Sequence, residues 1–366
     1  MEVGVKVFSQ YKLIKHIDKL CEWQNTGFTY PFLVNINLTN ICNNRCPKCT
    51  SRKKDRTTLT SEKAKEIIFE LRGLGIKSIG LGGGGDPSCH PDLASLIRYT
   101  KNMGIEVAVH TNGFKLSDDL IAAIASCCTW VRISLDANNP ELYSKIHGMP
   151  DKAFDMVINN IQKLVSKKRE INSDIVIGIT YLIDETTING AYEATKIVKA
   201  IGVDNIRFRS FFNWENYSIK NSKKSEIIRE LDRCLKLSNN KFQVSYAKER
   251  IDSLGGERKR RFSECLVHHF STIITPDCKV YPCCMLMDDN HYCYGDLSKM
   301  SFQEIWSSAR RKNIYDSINL KECPNPCMME VHNDLLTAIK TNEIGDFSIK
   351  EIINAMNAPI EHSNWI

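Results

Sequence analysis

Three cysteines stand within eight residues of one another, at Cys42, Cys46 and Cys49. Thiolates at this spacing can hold three corners of a cubane iron–sulfur cluster and leave the fourth iron without a protein ligand. That open iron is a place where a substrate or cofactor can bind. A structural zinc site is the alternative, but it normally takes four protein ligands, and no fourth Cys or His follows at zinc-finger spacing.

A second group of cysteines lies near the C-terminal end. Cys265 and Cys283 are followed by the pair Cys323 and Cys327. Four thiolates from two segments of chain can complete a closed cubane, which has no open iron. A structural zinc site is again the alternative.

Three further cysteines, Cys278, Cys284 and Cys293, lie between these ligand candidates. A free cysteine often packs as a small apolar side chain, and that is the simpler interpretation. The alternative is catalytic: one of the three donates a hydrogen atom to a substrate radical, or serves as a ligand in place of Cys283. The sequence leaves both interpretations open.

Four consecutive glycines, Gly82, Gly83, Gly84 and Gly85, precede Asp86. Glycines allow positive φ angles and a close approach of the backbone to a ligand. Exposed amides and carbonyls at a strand end can also grip a carboxylate or ammonium group. The run is therefore a candidate cofactor-binding turn, provided that it lies at the same edge of a sheet as the cysteine triplet.

The composition sets the broad class. The chain has 366 residues, of which 15 are cysteines, 42% are apolar and 25% are charged. These fractions are typical of a folded soluble protein. The absence of a long apolar run or signal-peptide core predicts a cytoplasmic protein without a membrane partner. Because disulfides are rare in that compartment, so many cysteines indicate metal or redox chemistry.

The net charge of +6 has two local sources, residues 52–54 and residues 258–261. Solvated loop charge is the simpler interpretation of both. The first run, Arg52, Lys53 and Lys54, directly follows the cysteine triplet, so it is also a candidate docking surface for an acidic electron donor of the flavodoxin or ferredoxin type. Nucleic-acid binding is not predicted, because neither run is interleaved with aromatic residues.

Short β-rich runs alternate with amphipathic helical stretches from about residue 32, which predicts a parallel α/β sheet. We expect strands at 32–38, 77–81, 106–110, 130–135, 175–182 and 205–211, and helices at 61–74, 92–103, 118–126, 152–167 and 191–201. Six units are too few for a closed eight-stranded barrel, so the predicted architecture is a partial (β/α)6 parallel barrel with a small C-terminal iron–sulfur domain. Its chemistry belongs at the C-terminal strand ends.

The same pattern predicts the domain boundaries. We expect an N-terminal helical extension over 1–30 and the partial barrel over 31–215. A helical linker over 216–262, an auxiliary-cluster domain over 263–330 and a helical tail over 331–366 follow.

Taken together, the motifs resemble the radical SAM superfamily, whose members use S-adenosylmethionine (SAM). The resemblance rests on the cysteine triplet after strand one, the glycine run after strand two, Thr111-Asn112-Gly113 after strand three and Arg132-Ile133-Ser134-Leu135-Asp136 on strand four, and it covers about residues 30–212. It implies a [4Fe-4S] cluster whose open iron is chelated by SAM, and one-electron reduction of SAM to a 5′-deoxyadenosyl radical that abstracts a substrate hydrogen.

The resemblance also implies roles for single residues. The glycines at 82–85 would meet the methionyl amine of SAM, with Asp86 and Asn112 in the same cofactor-binding set. Ser134 would meet the SAM carboxylate or ribose, and Arg209 the carboxylate or the substrate. Lys48 stands where the family usually has an aromatic residue near the adenine, and Asp86 where a glutamate is common.

The C-terminal cysteine region resembles the Twitch and SPASM extensions of radical SAM enzymes. A full SPASM domain with two auxiliary clusters needs a denser cysteine series than this chain has. The resemblance therefore implies one auxiliary [4Fe-4S] cluster, held by Cys265, Cys283, Cys323 and Cys327.

For the reaction, the resemblance to aminocyclitol- and sugar-modifying members predicts a small-molecule substrate: an aminocyclitol, sugar or nucleoside. Dehydrogenation of a carbinol by a radical SAM oxidoreductase is the first expectation. Epimerisation or dehydration of the same substrates, or maturation of a ribosomally made peptide, are the alternatives. Maturases often carry an N-terminal peptide-recognition domain, and only about thirty residues precede strand one here. A non-catalytic iron–sulfur carrier or zinc scaffold is the alternative of a different class, and formation of 5′-deoxyadenosine would exclude it.

Overall fold

A single sheet organises the described part of the chain. The computed structural model describes residues 10–49, 55–210, 223–246, 251, 260–323, 327–341, 343, 356–357 and 362–365. Its ten-stranded sheet has the order β10-β9-β8-β1-β2-β3-β4-β5-β6-β7. Neighbours from β8 through β1 to β7 run parallel, and β9 and β10 are antiparallel additions at one edge. The strands are β1 Leu33–Ile36, β2 Ser78–Leu81, β3 Glu106–Thr111, β4 Cys128–Ser134, β5 Val176–Ile183, β6 Asn205–Ser210, β7 Gln243–Tyr246, β8 Ser271–Ile274, β9 Lys279–Tyr281 and β10 Gly295–Asp296.

Helices connect the parallel strands. Several begin at a polar cap encoded in the sequence: Thr60, Ser117 and Asn139 accept hydrogen bonds from the amides of Lys63, Leu120 and Leu142, which satisfies donors that a helix start leaves unpaired. The helices are α1 Ile17–Thr26, α2 Ser61–Gly73, α3 Leu93–Asn102, α4 Asp118–Cys127, α5 Pro140–His147, α6 Lys152–Glu170, α7 Ala191–Ile201, α8 Lys224–Leu235, α9 Phe302–Ser307, α10 Ala309–Asp316 and α11 Glu330–Thr341.

The strands separate an apolar layer from a polar interior because side chains alternate along a strand. On the face that packs in one cluster with the helices, several strand residues are at most 1% exposed: Ile79, Val109, Val131, Ile177 and Ile206. On the opposite face, His110 lies beside Arg132, which lies beside Gly178 and then Asn205. The inside of the partial barrel therefore carries polar and basic groups.

The predicted six parallel strand–helix units are present, which confirms the α/β partial barrel. The segment 216–262, predicted to be a helical linker, differs: it contains α8 and also β7, which adds a seventh parallel strand beside β6. The short run Gln243–Tyr246 is too polar to stand out as a strand, and its pairing with β6 stabilises it. Helix α5 was also not predicted, because its eight residues carry only a short apolar pattern.

The C-terminal segment closes the end of the barrel at which the parallel strands begin. Trp365 Nε1 donates to Glu106 Oε2 at 2.8 Å, and Asn364 Nδ2 donates to Glu106 Oε1 at 2.7 Å. The Trp365 ring lies 5.0 Å from the ring of Trp130, edge to face. From the N-terminal helical segment, Lys12 Nζ donates to the Trp365 carbonyl at 2.9 Å. Both terminal segments therefore meet at this end.

None of the helices in the described residues combines the length and the apolar character that a membrane crossing requires. The basic run at residues 52–54, and residues 258 and 259 of the second run, lie outside the described residues. The proposed docking surface for an electron donor therefore stays a prediction.

Candidate active site

The first cysteine triplet lies in the loop after β1, and helix α5 holds this loop from one side. The amide of Arg45 donates to the His147 carbonyl at 2.9 Å. Gly148, which ends α5 with φ 61°, leaves no room for a side chain, since a Cβ there would stand 2.5 Å from the Arg45 carbonyl oxygen. The close contact fixes the middle of the cysteine loop against the end of α5.

The sulfur atoms have polar neighbours from three elements. Cys42 Sγ accepts from the Asn44 amide at 3.4 Å and from Asn112 Nδ2 at 3.7 Å. Cys46 Sγ lies 3.4 Å from Nδ1 of His147, whose Nε2 lies 3.0 Å from the Leu135 carbonyl oxygen. Because a carbonyl only accepts, Nε2 carries a proton and donates to Leu135, and Nδ1 is the ring atom that faces the Cys46 sulfur.

The electrostatics of the loop suit a cationic metal centre. Burial raises the pKa of Cys42 to about 11, and Asp86, Cys89 and Cys49 add to the rise. Burial and the neighbouring thiols Cys49 and Cys42 raise the pKa of Cys46 to about 12. Such thiols stay protonated at neutral pH unless a positive centre binds the thiolates. In the described residues, no three His, Cys, Asp or Glu side chains converge on the position of a single metal ion.

The glycine run packs against this loop. A Cβ at Gly83 would stand 2.3 Å from Asn37 Oδ1, and one at Gly85 would stand 2.1 Å from the Ile41 carbonyl oxygen. Gly83 and Gly84 have φ angles of 74° and 60°, which glycine adopts without strain. These glycines make a close approach to the chain's own segment 37–41, and their predicted contact with SAM stays a prediction.

Asp86 joins the ends of β2 and β3. Its carboxylate accepts from the Ser88 amide at 2.9 Å, from Thr111 Oγ1 at 2.9 Å and from the Asn112 amide at 2.6 Å. Burial raises the pKa of Asp86, and hydrogen bonds from Ser88, Asn112 and Thr111 oppose that rise. Since Asn112 also reaches Cys42, Asp86 fixes a neighbour of the cluster loop.

The substitution Asp86→Asn is expected to lower the free energy of unfolding by roughly 3 kcal/mol, because an amide group facing buried N–H and O–H donors leaves them unsatisfied. Urea denaturation of the apoprotein measures this change. Asp119→Asn is the control, because Asp119 is 67% exposed and pairs with Arg98 at the surface. Equal denaturation midpoints for the two variants would contradict the structural role of Asp86.

Lys48 connects the cysteine loop to the end of β5 through an ion pair with Asp184. Burial alone would raise the pKa of Asp184, but hydrogen bonds from Lys48, Thr187 and Thr186 outweigh it, so the pKa lies below its usual value. Lys48, which stands where an aromatic residue is usual near the adenine, therefore links the loop after β1 to the end of β5.

The second group of cysteines gathers at the far edge of the sheet. Burial raises the pKa of Cys265 to about 12, with further contributions from Cys327 and Cys323. The pKa of Cys283 also lies well above its usual value, first because of burial and then because of Cys284, Cys265 and Cys327. These thiols are thus near enough to repel one another once ionised, as the ligands of one cluster would be.

The interior of the barrel is basic. Burial lowers the pKa of Arg132 to about 9, and the charge of Arg209 adds to this. Burial, Arg132 and Arg209 together lower the pKa of His110 to about 3. The Arg132 guanidinium lies 5.2 Å from the centre of the Trp130 ring, and the His110 ring lies 4.7 Å from the same ring.

Comparison with known families assigns both cysteine regions. Residues 36–189 match the radical SAM superfamily, and residues 265–328 match the SPASM iron–sulfur cluster-binding domain. The chain carries a radical SAM domain followed by a SPASM domain. These domains bind SAM, a SAM-binding [4Fe-4S] cluster and an auxiliary cluster.

Curated relatives of the radical SAM domain differ in their reactions. Mycofactocin maturase MftC of Mycolicibacterium smegmatis is 29% identical over 154 residues, which are 41% of this chain and 38% of that protein. AdoMet-dependent heme synthase of Methanosarcina barkeri is 30% identical over 138 residues, 37% of this chain and 39% of that protein. This chain thus spans about two fifths of the length of each. Neither name is that of an aminocyclitol- or sugar-modifying enzyme.

Solved structures share the fold of both domains at low identity. SuiB of Streptococcus suis, crystallised with S-adenosylmethionine, has a TM-score of 0.65 at 12% identity and covers 82% of this chain and 71% of its own. The structure of anSMEcpe with bound AdoMet has a TM-score of 0.58 at 14% identity, over 89% of this chain and 99% of its own.

The structure separates the three remaining cysteines of the SPASM domain. Cys284 is half-buried, and loss of solvation raises the pKa of its thiol to about 11, with Cys327 adding to the rise and Arg209 opposing it. Cys278 lies in the turn between β8 and β9 with φ 64°, and its charged neighbours include Lys63 of the outer helix α2. Cys293 Sγ donates to the Gly295 carbonyl at 3.4 Å. Of the three, Cys284 is the one placed near Arg209.

Two neighbours of the cluster loop had no role in the sequence analysis. Cys89 Sγ lies 3.5 Å from Asn43 Oδ1 and adds to the rise in the pKa of Cys42. His147 contacts Cys46, as described above. The sequence does contain start and stop signals for the helix on which His147 lies. Asn139 is the cap, Pro140 stands in the first turn, and Gly148 ends the helix. Ser134, at the end of β4, pairs with Thr180 of β5, and its contact with SAM stays a prediction.

Proposed function

We propose that this protein is a radical SAM enzyme that modifies a peptide, as a maturase does. Support comes first from the 29% identity with mycofactocin maturase MftC over 154 residues. SuiB, which shares the fold, has also been crystallised with its precursor peptide SuiA, and anSMEcpe with a peptide. These relatives favour the peptide alternative over the first expectation of an aminocyclitol, sugar or nucleoside.

When bound, the SAM cluster supplies a 5′-deoxyadenosyl radical that abstracts hydrogen. The chain's own residues hold the three thiols in place. Asn112 and His147 contact Cys42 and Cys46, and the ion pair of Lys48 with Asp184 ties the loop to β5. Cys42, Cys46 and Cys49 are the proposed ligands of this cluster.

A segment of the SPASM domain, residues 284–287, lies near the ends of β1 and β6. Asn37 follows β1 and continues its inward-facing side. Its Nδ2 donates to the thioether sulfur Sδ of Met287 at 3.5 Å. Cys284, three residues earlier, lies near Arg209 of β6. The segment 284–287 therefore crosses from β1 towards β6, and a substrate bound there would lie between the SAM domain and the auxiliary cysteines.

The basic interior is the proposed binding site for a carboxylate of the peptide. The charge of Arg209 helps to lower the pKa of Arg132, so the two guanidinium groups lie close enough to repel each other inside the barrel. A low dielectric strengthens the attraction of both groups for an anion. The carboxylate of Glu106, at the start of β3, accepts hydrogen bonds from Trp365 and Asn364. A side-chain or terminal carboxylate of the substrate is the proposed ligand of these two guanidinium groups.

The substitution Arg209→Met is expected to raise KM for the peptide about tenfold or more, since a charge-assisted hydrogen bond contributes about 1.5–3 kcal/mol. Cleavage of SAM in the absence of peptide should change little. Arg229→Met, on the exposed side of α8, is the control. A loss of SAM affinity in Arg209→Met, measured by equilibrium dialysis, would instead assign Arg209 to SAM.

The proposed function is tested with the anaerobically reconstituted full chain, SAM and dithionite. The probes are synthetic peptides encoded by short reading frames next to the gene, compared with an aminocyclitol and a nucleoside. We expect 5′-deoxyadenosine formation to rise with one peptide, whose mass also changes. A rise only with the aminocyclitol or nucleoside would overturn the proposal, and no SAM cleavage under any condition would favour an electron carrier.

A further inference from the structure

Helix α10 places an arginine in the core of the SPASM domain. Arg311 is 3% exposed, and its Nη1 donates to the Trp306 carbonyl at 3.3 Å. Its guanidinium lies 3.7 Å from the centre of the Trp306 ring, 5.3 Å from that of Tyr315 and 5.5 Å from that of Tyr294. Three aromatic rings thus enclose one cation.

The charge of Arg311 is not neutralised by the described residues. Within them, Arg311 forms no ion pair, and its buried Nε and Nη2 atoms have no hydrogen-bond partner. Burial lowers the pKa of Arg311 to about 10, with Tyr294 and Tyr315 opposing the decrease, so the group is positively charged at neutral pH. Attraction to the rings offsets part of the desolvation, but a buried cation normally has an anionic partner.

Two of the auxiliary cysteines are neighbours of one of these rings. The Tyr294 amide donates to the Val280 carbonyl at 2.8 Å, which places the Tyr294 backbone beside β9, the strand that precedes Cys283. Cys265 and Cys283 both help to raise the pKa of Tyr294 after burial, and Arg311 opposes them. The Tyr294 side chain therefore has both Arg311 and the two thiols among its charged neighbours.

A second path of contacts leads from Arg311 to Cys265. The ring of His268 stacks on Tyr315 at 4.9 Å with an interplanar angle of 25°. His268 follows Cys265 by three residues, and its backbone amide lowers the pKa of the Cys265 thiol. The Nδ1 atom of His268 and the hydroxyl of Tyr294 are buried without a hydrogen-bond partner in the described part of the chain. Polar atoms left unsatisfied around the thiols indicate that a charged group belongs there.

We propose that Arg311 raises the reduction potential of the auxiliary cluster. A cluster bound by thiolates gains one negative charge when it accepts an electron. A nearby cation in a low-dielectric environment stabilises the more negative state, so Arg311 makes the cluster a better electron acceptor. The inference concerns the auxiliary cluster alone and does not depend on the peptide substrate.

The test uses the full chain in which Cys42, Cys46 and Cys49 are replaced by alanine, so that the auxiliary cluster is the one that remains. The reduced fraction is measured by electron paramagnetic resonance during a titration with dithionite, in which each cluster takes one electron. When Arg311→Met is added to this chain, we expect the ratio of reduced to oxidised cluster to fall about tenfold at a fixed solution potential. This fall corresponds to a reduction potential lower by about 59 mV.

Lys312→Met is the matched control, because Lys312 is the next residue and is exposed; its ratio should stay unchanged. Arg311→Lys keeps the charge, so its ratio of reduced to oxidised cluster should lie closer to that of the parent than the ratio of Arg311→Met does. Iron and sulfide content confirm that the cluster is assembled in each variant. If Arg311→Met does not assemble it, Arg311→Gln replaces that variant, with the same expected fall. A ratio equal to the parent in an assembled, uncharged variant, or an equal fall in Lys312→Met, would overturn the proposal.

Discussion

Replacing Cys42, Cys46 and Cys49 together by alanine is expected to abolish 5′-deoxyadenosine formation and to remove about half of the iron, from about eight to about four atoms per chain. The three thiols share one loop, and Cys49 adds to the rise in the pKa of both Cys42 and Cys46, so the three lie close enough to bind a cationic cluster as a unit. The auxiliary cysteines lie at another edge of the sheet and should keep their iron.

Iron and labile sulfide are measured after anaerobic reconstitution, and 5′-deoxyadenosine by chromatography. The control replaces Cys21 and Cys127, which lie on α1 and α4, and should keep both the full iron content and SAM cleavage. Zinc without labile sulfide in the anaerobically prepared parent would contradict the two-cluster assignment.

The substitution Gly85→Ala is expected to remove the same cluster through a single methyl group. A Cβ at this position would stand 2.1 Å from the Ile41 carbonyl oxygen and 2.6 Å from the Asn40 carbonyl carbon. Both are backbone atoms, and the Gly85 amide is already bonded to the Thr39 carbonyl at 2.8 Å. The loop that begins at Cys42 must therefore shift, and a shift of about 1 Å can lower a rate about hundredfold.

Gly73→Ala is the control for this prediction, because no atom lies within 4 Å of a Cβ at Gly73. SAM-dependent 5′-deoxyadenosine formation and iron content are compared in both variants. Gly85→Ala should lose iron from the SAM domain and keep that of the SPASM domain. Full activity of Gly85→Ala would show that the segment 37–41 adjusts without moving the cysteines.

The fold was largely predictable because its signals are local. Alternating apolar residues define each buried strand, and the cysteine triplet needs only eight residues of sequence to be recognised. Strand β7 was missed because its stability comes from pairing with β6, not from an apolar run of its own.

The surroundings of the clusters were less predictable, since they depend on contacts between distant segments. His147 meets Cys46 across 101 positions, and no local pattern links them. The glycine run did predict a tight backbone contact, but its spacing does not distinguish a ligand from the chain's own Ile41. Arg311 reads as one more surface charge in the run Ala309–Asp316, and only the packing of α10 reveals that it is buried.

The contact between the two terminal segments has a consequence for synthesis on the ribosome. Lys12 and Trp365 are separated by 353 positions, so the partner of Lys12 is translated long after the cysteine loop and β1 to β7. Contacts of such high sequence separation form slowly, because loop closure must precede them. The nascent barrel therefore keeps the end near Glu106 and Trp130 open to water until residues 364 and 365 have been made.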